Sequence, residues 1–63
     1  MLDIVVSKDE LINMFKNEDI KDTDDGWIYK DDTYISIVAL HEQELKFVYD
    51  ITDAQYYKIV SIT

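Results

Sequence analysis

Leu2-Asp3-Ile4-Val5-Val6-Ser7-Lys8-Asp9-Glu10-Leu11-Ile12-Asn13-Met14-Phe15 changes its hydrophobic period part-way along, and that change decides the fold class. Leu2 to Val6 is a short, apolar, β-branched run that reads as a strand. Ser7-Lys8-Asp9-Glu10 fits a capping box, in which the Ser7 hydroxyl takes an orphan helical N–H three residues on and Glu10 reaches back. Val6 and Leu11 stand where a hydrophobic staple closes. Leu11, Ile12, Met14 and Phe15 then fall on one helical stripe, leaving Asp9, Asn13, Lys16 and Asn17 towards water. A strand therefore feeds directly into a helix over about residues 8–18.

Beyond the helix the chain looks like sheet. Glu18 to Asp25 is a polar stretch ending in Asp25-Gly26, where glycine supplies the positive φ of a tight turn. Trp27 to Lys30, Thr33 to Leu40 and Leu45 to Ile51 are β-rich runs separated by short polar breaks, a spacing that suggests an antiparallel meander. In the third run Leu45, Phe47, Tyr49 and Ile51 share one face. A rival reading on propensity makes Ala39 to Lys46 helical. The last segment is two-sided: Tyr56, Tyr57, Ile59, Val60 and Ile62 favour strand by composition, yet Thr52-Asp53-Ala54-Gln55 repeats the capping-box pattern before a helical stripe of Tyr56, Ile59, Val60 and Thr63. The expected architecture is α+β, in the order β-α-β-β-β-α, with a sheet of three to four antiparallel strands and a short C-terminal helix.

Residues 1–63 read as one domain, with no proline, one glycine and no repeat to mark a linker. A chain this short buries only about 60% of its unfolded surface. It has no cysteine to form a disulfide or thiolate metal site, so a homodimer is a natural way to enlarge the core. A hydrophobic content of 48% with five tyrosines is too apolar for a disordered chain. Nothing resembles a signal sequence or a membrane span, so the expected location is the cytoplasm.

Fourteen acids against six lysines and no arginine give a net charge of −8. That field disfavours nucleic acid and anionic membrane, whose phosphates are paired by cations, and steers basic protein surfaces inward. Catalytic constellations are missing. Gly26 alone cannot build a phosphate-cradling loop, and His41 has no serine on a recognisable elbow motif. Ser7 is explained as a cap, and Ser36 and Ser61 as hydroxyls on the exposed faces of regular elements. His41 with Glu42 and Glu44 reads as a solvated hairpin turn before a metal site. Asp22-Thr23-Asp24-Asp25-Gly26-Trp27-Ile28 looks like a calcium loop, but placing Gly26 at the sixth position puts Lys21 at the first and Asp32 at the twelfth, where the bidentate glutamate belongs. No catalytic residue, metal or cofactor is therefore expected.

What stands out is concentration. Seven of the fourteen acids lie between positions 18 and 32: Glu18, Asp19, Asp22, Asp24, Asp25, Asp31 and Asp32, interrupted only by Lys21 and Lys30. Each alone is explicable as a turn former. Together they carry a repulsion that dispersed charges would avoid. Beside them stand Trp27, Tyr29 and Tyr34, with Trp27 and Tyr29 on one strand face. Trp27 suits the core, Tyr29 and Tyr34 suit either a core or an interface, and Tyr56 and Tyr57 cannot both face inward.

In length, lack of cysteine, acidity and clustering of acids with aromatics, the chain resembles the small acidic inhibitors encoded by bacteriophages that mimic DNA and block host nucleic-acid-binding proteins. The likeness lies in composition and rests on no shared motif. It implies an acidic ridge of Glu18, Asp19, Asp22, Asp24, Asp25, Tyr29, Asp31, Asp32 and Tyr34 entering the groove of a basic protein such as a histone-like nucleoid protein, a CRISPR nuclease, RNA polymerase or a DNA-repair glycosylase. An immunity protein or antitoxin against a basic toxin, and a structural or regulatory subunit, are the competing readings.

Overall fold

The computed structural model describes residues 2–41, 45–47, 51 and 53–62, with the backbone alone for 45–47. The expectations for Tyr49 and for the loop at Glu42 and Glu44 fall outside those residues, as does the facing of Leu45 and Phe47. Strand β1 (Asp3–Ser7) runs into helix α1 (Lys8–Lys16), and β2 (Ile20–Thr23), β3 (Gly26–Tyr29), β4 (Tyr34–Leu40), β5 (Leu45–Phe47) and β6 (Tyr56–Ser61) follow. All pairings are antiparallel. The sheet order is β1-β6-β4-β3-β2, with β5 also paired to β4.

The helix starts as the residues dictate. Ser7 Oγ accepts from the Glu10 N–H at 3.2 Å and donates to the Glu10 carboxylate at 3.2 Å, so Glu10 reaches back to the cap's hydroxyl. Val6 and Leu11, the staple pair, both lie in the core. Leu11 is fully buried, and Met14 and Phe15 pack against the core from the same stripe.

The helix ends at Lys16, two residues before its expected limit near residue 18. The N–H of Asp19 donates to the Met14 carbonyl at 2.9 Å and that of Glu18 to the Phe15 carbonyl at 3.2 Å. This is the Schellman pattern, in which the residue after the cap turns left-handed. Glu18 takes that position with φ 63°.

Two expectations are corrected. The C-terminal segment is the strand β6, inserted between β1 and β4. It pairs on both edges: Ile59 lies opposite Ile4 on one side and Ile37 on the other, and Tyr57 lies opposite Val6 and Ala39. Two full ladders outweigh one local capping signal, and the β-branched and aromatic residues of β6 favour that outcome. The Gln55 carbonyl, instead of opening a helix, accepts from the Lys8 N–H at 3.0 Å.

The second correction is strand number. Ile20–Thr23 lies in the stretch read as polar loop, yet its backbone pairs with Gly26–Tyr29 along its whole length. The helical alternative for Ala39 to Lys46 is also excluded, because Ala39 and Leu40 pair with Lys46 and Leu45 as strands.

One sheet face carries the core. Ile37, Ala39, Tyr57 and Ile59 are buried there under Leu11, and one helix covers this face where two were expected. Tyr57 is inside and Tyr56 outside, at 0% and 53% exposure, so the two tyrosines divide as strand alternation requires. Ser61 departs from its exposed-face expectation: it lies opposite Ile35, half-buried, and its hydroxyl accepts from the Leu2 N–H at 3.1 Å.

Candidate functional site

The hairpin β2–β3 forms one border of the sheet, and the acidic residues follow it. Glu18 and Asp19 enter β2, Asp22 lies within it, Asp24 and Asp25 form the turn to β3, and Asp31 and Asp32 form the turn from β3 to β4. The register sets Ile20 opposite Tyr29 and Thr23 opposite Gly26. Glu18, Asp19, Asp31 and Asp32 therefore gather at one end of the hairpin and Asp24 and Asp25 at the other, with Asp22 between. A four-residue strand separates the two ends by roughly 10 to 14 Å. Asp19 is half-buried and the other six are exposed.

Few of these carboxylates have a cation close by, although the Lys30 charge acts on Asp31. Among the described residues, none of the seven forms an ion pair with a lysine; the ion pair there joins Lys58 to Asp3 at 3.4 Å on the far side of the sheet. Strand alternation turns Lys21 to the face opposite Asp22. Lys30 lies over the Tyr29 ring, 5.4 Å from its centre, in a cation–π contact.

The turn geometry explains how the acids are held. In the β3–β4 connection the Asp32 N–H donates to the Tyr29 carbonyl and the Tyr29 N–H to the Thr33 carbonyl, both at 2.8 Å. This is a three-residue hairpin loop whose last residue turns left-handed, and Asp32 does so with φ 66°. Asp31 accepts from the Thr33 N–H at 3.1 Å. Hydrogen bonding from the Thr33 side chain first, then from its backbone, holds the Asp31 carboxyl below its ordinary value of 3.8. At the other end Gly26 takes φ 125° and the Thr23 hydroxyl donates to its carbonyl at 2.6 Å.

The aromatic members separate. Trp27 packs edge-on against Phe15, ring centres 6.0 Å apart at 73°, and so belongs to the core side. Tyr29 shares that face and packs half-buried against the core beside the acids. Tyr34 lies opposite Ile28, on the other face of the sheet, and is 44% exposed. The border thus brings the seven acids together with Tyr29 and leaves Tyr34 on a different surface.

Among the described residues no group of three histidine, cysteine or acidic side chains is placed to hold a metal ion, and no helix is long and apolar enough to cross a membrane. Comparison with protein-family models, curated proteins and solved structures gives no match.

Proposed function

We propose that this protein binds a basic, nucleic-acid-binding protein through the β2–β3 border and occludes its nucleic-acid groove by presenting a DNA-like row of carboxylates. The observation that carries the reading is the gathering of seven acids on one border hairpin, none of them in an ion pair among the described residues, in a chain of net charge −8. One backbone position supports it. Glu18 takes a positive φ, a conformation in which glycine is most stable and a glutamate side chain costs about 1 kcal/mol or more. A carboxylate there, at a helix C-terminus whose dipole repels anions, is poorly explained by stability alone, whereas Asp32 is of a residue type that tolerates the left-handed turn.

The mechanism is competitive. Long-range attraction speeds encounter and weakens as salt rises, while the half-buried Tyr29 of β3 offers aromatic area that slows release. The test is capture of partners from a cell lysate at low salt, with and without excess duplex DNA. Recovery of a basic protein that DNA displaces supports the reading, and replacing Asp22, Asp24, Asp25 and Asp32 with Asn should weaken its binding at least about tenfold. Unchanged affinity in that variant, or a partner retained in the presence of DNA, would remove the proposal and favour an immunity-type or subunit role.

A further inference from the structure

The helix covers one face of the sheet, and the opposite face stays open. Register places Val5, Lys58 and Val38 in one row across it, and Asp3, Val60 and Ser36 in the next. Val5, Tyr56, Ile62 and Tyr34 are exposed at 58%, 53%, 55% and 44%, and Val38 and Val60 between them are only half-buried. A monomer seldom leaves so many large apolar side chains together in water.

We infer that this open face is the contact surface between two copies of the chain, packed sheet on sheet. Charge identifies the occupant. The chain carries −8, yet on the described strands Asp3 is the sole acid of this face, and Lys58 neutralises it at 3.4 Å. On the described strands this face holds no acid outside that ion pair, so two copies can meet on it without opposing their acidic borders. A basic partner finds no attraction here, since Lys58 and Lys21 outnumber Asp3.

A two-fold contact requires a patch that complements itself, and an acid and a base on adjacent strands meet that requirement, because each copy can offer Asp3 to the other's Lys58. Scale agrees as well. Five strands about 4.8 Å apart, averaging about five residues at about 3.3 Å, give a footprint of roughly 400 Å², which side-chain relief enlarges towards the ~800 Å² per partner of a standard interface. The inference does not depend on what the acidic border binds.

Sedimentation equilibrium of the full chain, from micromolar to millimolar concentration and at low and high salt, tests it. The expected result is a reversible dimer that tightens as salt rises, because apolar burial drives the association and two like-charged chains oppose it. Val5→Glu with Tyr56→Glu should weaken the dimer at least about tenfold by burying unpaired charge, with circular dichroism showing the fold retained. Lys58→Asp should weaken it and Lys58→Asp with Asp3→Lys should restore it, a comparison that stands even if the first variant does not fold. A chain that stays monomeric at every concentration, or a dimer indifferent to both sets of changes, overturns the inference. Failure here leaves the acidic border untouched, since loss of partner capture is read separately on the Asn variant.

Discussion

Phe15 meets Trp27 edge to face, ring centres 6.0 Å apart, and this contact ties the helix to β3, the second strand of the acidic hairpin. The geometry is the favoured one for two quadrupoles. It anchors the border to the rest of the molecule together with Ile20, Tyr29 and the β3–β4 ladder. Phe15→Ala or Trp27→Ala should each lower stability by about 2–3 kcal/mol, less than for a fully enclosed ring. The double variant should reveal a coupling of about 1 kcal/mol. Urea unfolding of the four proteins measures it, and strict additivity would show that the rings do not support each other.

Ile59 tests the placement of the last strand. It is completely buried and paired across both neighbours, with Ile4 and Ile37. Ile59→Ala should cost about 3 kcal/mol, and the β6 amides should be among the slowest in the chain to exchange hydrogen. Rapid exchange along Tyr57–Val60 would contradict the central position of this strand.

The N-terminal half was legible because its signals are local. Ser7, Glu10, Val6 and Leu11 each do what their spacing indicates, and one face of the helix is apolar enough to leave no alternative. The last strand was not, because Thr52-Asp53-Ala54-Gln55 carries a valid local signal that long-range pairing overrides, and no sequence window contains β1 and β4 beside β6. Strand β2 was hidden for another reason. Of Ile20, Lys21, Asp22 and Thr23 only Ile20 is buried, so an edge strand held by backbone bonds shows no alternation to read. The acid cluster could be seen in the sequence, but its alignment on one border depends on that unseen strand. The open face has its own signal in the sequence: Tyr34-Ile35-Ser36-Ile37-Val38-Ala39-Leu40 is largely apolar on both faces, as in a strand covered on both sides.

Glu18 gives a prediction of opposite sign. It adopts φ 63° at the end of the helix, where glycine is favoured and a negative charge meets the dipole unfavourably. Glu18→Gly should therefore raise stability by about 1 kcal/mol, an uncommon direction for a single substitution. Thermal unfolding measures it. A loss of stability would mean that the Glu18 side chain contributes something the backbone strain does not outweigh.

Asp31 should titrate below 3.8, because hydrogen bonds from Thr33 favour its charged form. A carboxyl whose folded pKa is depressed stabilises the fold above its unfolded value, and that contribution disappears as pH falls through the lower folded value. The β3–β4 turn should accordingly loosen only in acid, well below neutral pH. Thr33→Val removes the hydroxyl and leaves the backbone N–H, so the midpoint should rise part of the way back. Carbon-detected NMR titration of the two proteins decides it, and an Asp31 midpoint at or above 3.8 in the native chain would refute the assignment.

Salt separates the two faces of the molecule. Asp22, Asp24, Asp25 and Asp32 repel one another along the β2–β3 border, and converting them to Asn keeps their shape while removing charge. Asp31 is best left intact, since its carboxylate builds the turn through Thr33. The four-site variant should be more stable than the native chain by on the order of 1 kcal/mol at low salt, and the gain should shrink as ions screen the repulsion. If the border binds a basic partner, the same variant should lose affinity under the same low-salt conditions in which it gains stability. Dimerisation through the open face should move the other way, because removing repulsion between copies strengthens it. A variant that loses stability, or whose stability is indifferent to salt, would show that these carboxylates are too far apart or too well solvated to act as one charged border, and the proposed function would lose its physical basis.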